Sequence, residues 1–123
     1  MEHSKEFLAV VDDAKSRIRE VSVAEALERM GRGAKLIDVR EDSEWHTHAR
    51  DAVHIGRGVI ERDIVQTIPD KSTELILYCG GGYRSALAAD MLQKMGYTNV
   101  YSLAGGWRSW QEAGAPTEME IPY

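Results

Sequence analysis

A chain of 123 residues suits one domain with its own core, and 20 Asp and Glu against 15 Lys and Arg give a formal charge of −5, which argues against general nucleic-acid binding while allowing a local positive pocket. Its single cysteine excludes an internal disulfide and fits a reducing compartment. The start, Met1 to Glu6, lacks the apolar core of a signal peptide and no later run could span a bilayer, so a cytoplasmic protein without membrane partners is expected.

Residues 5 to 19 place Phe7, Val10, Val11, Ala14 and Ile18 at helical spacing, with Lys5, Asp12, Asp13, Lys15 and Arg17 mostly elsewhere. This predicts an amphipathic helix that packs on the sheet, with dimerisation through the stripe as the alternative. Ser22 to Glu25 reads as a capping box, starting a second helix through Leu27 and Met30 that Gly31 and Gly33 end. Lys35 to Val39 then reads as a strand. Asp38, Arg40 and Glu41 fall at its C-terminal end, the edge on which open α/β sheets place their sites. Asp38 is open to two readings, support beneath a site or a cap on the next turn. Arg40 is read as pairing with Glu44 on the surface, with a role beneath the site as the alternative.

Asp42 to Trp45 begins a short helix. His46, His48 and His54, with Glu44 nearby, raise a metal site. No cysteine shares that cluster and its spacing matches no closed zinc pattern, so turn or surface histidines and no metal are expected. Ala52 to Ile55 suits a strand, and an Ile60, Ile64, Val65, Ile68 stripe suits a helix ended by Pro69.

Glu74 to Tyr78 is the most informative strand. Its run Leu75-Ile76-Leu77-Tyr78 suits a strand covered on both faces, as in a parallel sheet, and it stops at Cys79. Gly80, Gly81 and Gly82 let the backbone take positive φ and turn successive N–H groups toward one point. From Arg84 the pattern is helical through Leu87, Ala88, Met91, Leu92 and Met95, with Gly96 as the stop. A ring of donors therefore meets a helix N-terminus, a setting that favours anions, with Cys79 at its rim. Cys79 is read as a reactive thiol available as thiolate without a dedicated base. Arg84, in the first turn, opposes the helix dipole unless an anion lies beside it, so an anion is expected there. The competing reading is a buried structural cysteine with Arg84 merely solvated. Strand end, glycine loop and first-turn arginine together favour the reactive one.

Asn99 to Leu103 suits a last strand, and Gly105-Gly106 a sharp turn into Trp107 and Trp110, which read as packing anchors. Beyond Pro116 a frayed tail is expected. Strand and helix patterns alternate after Lys35, the signature of a parallel sheet flanked by helices.

The loop Cys79-Gly80-Gly81-Gly82-Tyr83-Arg84-Ser85 resembles the active-site loop of the rhodanese-like sulfurtransferases, in which Cys-x-x-Gly-x-Arg-Ser holds a persulfide. Leu36 to Glu41 resembles that family's first core strand, and Asn99 to Trp107 with Trp110 its last strand and closing helix. The resemblance implies an α/β, rhodanese-type domain over 21–116 with a five-stranded, mainly parallel sheet flanked by helices on both faces. Residues 1–20 then form a helical extension and 117–123 a tail. It further implies transfer of sulfane sulfur from thiosulfate or a persulfide, small or protein-borne, to a thiol or cyanide through a Cys79 persulfide. Gly80, Gly81, Gly82, Tyr83, Arg84 and Ser85 would hold that persulfide, with Asp38 and Arg40 behind it and no cofactor. One segment departs from the family. Relatives usually read Glu-aromatic-x-x-Gly-His-Ile-x-Gly-Ala, whereas Glu44 to Ala52 lacks the glycine before His48 and places Asp51 at the second, so this turn must be built differently.

Two other functions compete. Relatives of this fold act as phosphatases or arsenate reductases with Cys-x5-Arg, but four residues separate Cys79 from Arg84 here, a narrower ring better suited to sulfur. A non-catalytic interaction module is the other, and the intact Cys79 and Arg84 weigh against it.

Overall fold

The computed structural model describes residues 3–120. Helices α1 (Lys5–Lys15), α2 (Val23–Gly31), α3 (Ile60–Thr67), α4 (Tyr83–Lys94) and α5 (Gly106–Glu112) alternate with strands β1 (Arg19–Val21), β2 (Lys35–Asp38), β3 (Thr47–Ala49), β4 (Val53–His54), β5 (Leu75–Tyr78), β6 (Val100–Leu103) and β7 (Thr117–Met119). Five strands form a parallel sheet in the order β1-β6-β5-β2-β4, so the strand ending at Cys79 lies at its centre. No helix among the described residues is long and apolar enough to cross a membrane.

Because strand side chains alternate between faces, β5 feeds two cores. Leu75, Leu77 and Cys79 join Ile37, Val39, Ile60, Ile64, Ala88 and Leu92 on the α3–α4 face. Ile76 and Tyr78 join Leu36, Ala26, Leu103 and Trp110 on the α2–α5 face. Leu75, Ile76, Leu77, Ile60 and Ile64 are each fully buried, contributing about 1.5–3 kcal/mol apiece. Ser22 caps α2 with the expected capping box, its side chain accepting from Glu25 N–H while Glu25 reaches back.

The helix expected over residues 5 to 19 ends at Lys15. Ser16 stops it, its N–H reaching the carbonyls of Asp12 and Asp13, and Arg19–Val21 becomes the edge strand β1 beside β6. Three residues with Val21 alone buried carry too little alternation to signal a strand. The helix also packs chiefly on α4 rather than on the sheet. Val11 and Ala14 are buried, and Arg17 ties the segment after the helix to α4 through the Asp90 carboxylate at 2.9 and 2.7 Å.

The tail is not frayed throughout. Thr117–Met119 pairs antiparallel with β3, and all three side chains are exposed, so main-chain bonds do most of the holding. The altered turn is closed by Asp51 at φ 67, the one non-glycine residue with positive φ among those described. Aspartate tolerates this region better than most residues, and the Asp51 N–H finds Glu118 Oε1 at 3.2 Å.

Candidate active site

The loop after Cys79 is shaped from below by α5. Trp107 N–H donates to the Cys79 carbonyl at 2.7 Å and Arg108 N–H to the Gly80 carbonyl at 3.2 Å. With those carbonyls drawn toward α5, the next peptide units turn their N–H groups to the other side. Gly82 takes φ 99 as the residue before α4, and its N–H donates to Cys79 Sγ at 3.1 Å. Ser85 N–H, in the first turn of α4, reaches Sγ at 3.4 Å. The Ser85 hydroxyl lies 3.5 Å from Sγ and 2.8 Å from the Ser102 hydroxyl on β6. Sγ thus sits among oriented donors at a helix N-terminus, where negative charge is favoured.

Cys79 is 1% exposed, yet it borders a pocket of about 350 Å³ lined by His3, Phe7, Cys79, Gly81, Tyr83 and Arg84. The His3 and Phe7 rings stand 4.6 and 6.2 Å from the Tyr83 ring. Sequence reasoning missed both as site residues. Phe7 read as part of a core stripe, and only the seating of α1 on α4 brings it to the pocket that Cys79 also lines.

Arg84 has its anion inside the chain. Its Nη1 lies 2.9 Å from Glu44 Oε1, and this bond, more than any other influence, holds the Glu44 carboxyl below the usual carboxylate range. The same bond raises the guanidinium further above its ordinary value. Glu44 Oε1 also accepts from Glu41 N–H at 2.9 Å.

Glu44 is therefore not the partner of Arg40, and the surface reading of Arg40 is overturned. Arg40 is 4% exposed, bonded to the Asp38 carboxylate through Nε at 3.1 Å and Nη2 at 2.8 Å, and to the Thr47 carbonyl at 2.9 Å. Its guanidinium lies 4.7 Å from the Trp107 ring. Asp38 is buried, caps the turn by accepting from Arg40 N–H at 2.8 Å, and accepts from Tyr78 Oη at 2.6 Å. Burial first, and the Asp38 carboxylate second, push the Tyr78 hydroxyl well above its ordinary value. This network occupies the α2–α5 face, whereas Cys79 belongs to the other, so Asp38 and Arg40 support the sheet edge and do not touch the thiol.

Of the three histidines expected at a turn or surface, His46 is exposed, whereas His48 and His54 serve packing. Trp45 stacks on His48 at 3.5 Å, and His48 contacts the Ala49 carbonyl and Glu120, each at 2.9 Å. His54 Nε2 donates to the Arg40 carbonyl at 2.8 Å. Among the described residues no group of three or more His, Cys, Asp or Glu is arranged to hold a metal.

A central parallel strand that delivers a thiol into a donor-lined turn before a helix defines a class of α/β domains that place a cysteine where negative charge is favoured. Residues 22–113 match the Rhodanese-like domain, and the chain belongs to that family. It is 29% identical over 101 residues to the thiosulfate sulfurtransferase GlpE of Haemophilus influenzae, covering 81% of this chain and 94% of that one. Among solved structures it resembles the polysulfide-sulfur transferase homodimer of Wolinella succinogenes, with a TM-score of 0.81, 26% identity, and 96% and 90% of the two chains covered. It also resembles a Rhodopseudomonas palustris protein of unknown function described as a possible tyrosine phosphatase, with a TM-score of 0.78, 28% identity, and 96% and 98% coverage.

Proposed function

We propose that the protein transfers sulfane sulfur from a small or protein-borne donor to a thiol acceptor through a persulfide on Cys79, in a reducing compartment and without a cofactor. The observation that carries this reading is the placing of Sγ, which receives N–H groups from Gly82 and Ser85 and borders an open pocket. The Cys79 thiolate attacks the outer sulfur of the donor. An S–S bond forms to Sγ as the donor's S–S bond breaks, and the electron pair leaves with the donor's anion. An acceptor thiolate, or cyanide in an assay, then attacks the outer sulfur and restores the Cys79 thiolate, giving ping-pong kinetics. Donors fixed in advance around the sulfur stabilise its charge in each state, as an oxyanion hole does for oxygen. The loop residues Gly80, Gly81 and Tyr83 complete the cradle. The names of the Haemophilus and Wolinella relatives support sulfur transfer.

Phosphate ester hydrolysis is the second reading, raised by the Rhodopseudomonas neighbour. The four-residue spacing and the occupation of Arg84 by Glu44 weigh against it, since little cationic charge remains to receive a phosphoryl group. Intact-mass measurement after treatment with sulfane-sulfur donors tests the proposal. A gain of one sulfur atom on the wild type, removed by cyanide and missing from Cys79→Ser, is expected. Turnover of an aryl phosphate that depends on Cys79, with no sulfur adduct, would favour the rival.

A further inference from the structure

We infer that Glu44 and Phe7 set donor choice, and that the site accepts sulfane sulfur from a donor with an apolar organic group and at most one negative charge in preference to inorganic thiosulfate, a dianion. This inference rests on the sulfur-transfer reading above.

Charge is the first argument. Between Cys79 and Arg84 the loop supplies three glycines and Tyr83, with no cation. The guanidinium that does line the pocket is neutralised by Glu44 at 2.9 Å, in a pair whose side chains are about one-third exposed (32% and 35%). A second cation, Lys15, lies 5.4 Å from the Tyr83 ring, and its Nζ is 3.8 Å from Glu20. An incoming dianion therefore meets two cations that already have carboxylate partners, and must approach Arg84 beside the Glu44 charge. A monoanion suffers this repulsion about half as much.

Surface chemistry is the second argument. The pocket that Cys79 borders is lined by Phe7, Tyr83 and His3, whose rings cluster together. Such a wall rewards burial of an aryl or alkyl group and offers little to a small hydrated ion. Phe7 on α1 and His3 before it lie outside residues 22–113, which match the family, whereas Tyr83 lies within them, so the wall joins the matched domain to the N-terminal segment.

Benzenethiosulfonate is the diagnostic probe. The Cys79 thiolate bonds to its terminal sulfur, the donor's S–S bond breaks, and benzenesulfinate departs with the electron pair, leaving the Cys79 persulfide anion. Methanethiosulfonate reacts in the same way with a smaller apolar group, and thiosulfate releases sulfite.

The experiment measures kcat/KM for all three donors with wild type, Phe7→Ala, Phe7→Leu and Glu44→Gln, each shown folded by circular dichroism. Ratios between donors on different variants cancel intrinsic reactivity. The benzene-to-methane ratio should fall at least fivefold in Phe7→Ala and be largely restored in Phe7→Leu. In Glu44→Gln the ratio of thiosulfate to benzenethiosulfonate should rise at least fivefold, and that gain should shrink with added salt. Persulfide formation from every donor with ratios that no variant moves overturns the inference and leaves sulfur transfer standing. No Cys79 persulfide from any donor removes both.

Discussion

Gly106 lies against the Cys79 carbonyl so closely that a Cβ on it would meet that oxygen at 2.3 Å. The residue also sits at φ 54, where side chains other than glycine are strained. This approach allows Trp107 N–H to bind the Cys79 carbonyl, which in turn helps set the direction of the loop amides. Gly106→Ala should therefore lower stability by ~2–4 kcal/mol, combining backbone strain with displacement of a packed loop. Urea unfolding reads the loss, and the folded fraction should form the Cys79 persulfide more slowly.

The Asp38–Arg40–Tyr78 network gives a prediction of a different kind. Asp38→Ala would leave the Arg40 guanidinium buried without its carboxylate, which should cost ~3–5 kcal/mol. Because the network lies on the far face of the sheet from Sγ, cooling the variant to a temperature where it is folded should restore persulfide formation. A stable Asp38→Ala that cannot load sulfur would assign Asp38 to the chemistry instead.

The Arg84–Glu44 pair predicts a pH dependence. Glu44 is held below its ordinary value of 4.5 in the folded chain, so the pair stabilises the fold above that pH. The contribution is lost as pH falls below 4.5 through the folded value. Partial exposure of both side chains keeps it below about 1 kcal/mol. Stability of wild type minus that of Glu44→Gln should be largest near neutral pH and vanish in acid, as measured by denaturant titration at each pH.

Asp51 offers a stabilising change. Glycine takes φ 67 without the steric cost that aspartate bears, and the Asp51 N–H bond to Glu118 uses the backbone. Asp51→Gly should raise stability by ~0.5 kcal/mol after allowing for glycine's greater freedom in the unfolded chain. An unchanged or lower melting temperature would contradict this.

What the sequence revealed follows from range. The strand, thiol, glycines and first helical turn occupy Leu75 to Ser85 without a break, so local pattern exposed the centre of the site. The partners of that site are distant. Glu44 lies forty residues before Arg84, Ser102 seventeen after Ser85, and Phe7 reaches Tyr83 only because α1 rests on α4. Arg40 and Glu44 suggested a pair by their spacing, which matters only within a helix. Here the chain leaves a strand, turns, and carries the two side chains apart. The edge strand Arg19–Val21 and the tail strand Thr117–Met119 were hidden for another reason: their pairing is made by main chain, with five of six side chains exposed.

Whether Cys79 carries sulfur is read from the intact mass of the protein after exposure to thiosulfate, benzenethiosulfonate and a protein-borne persulfide. One added sulfur atom on Cys79 that cyanide removes is expected. An unmodified Cys79 with every donor, in a protein shown to be folded, would contradict it.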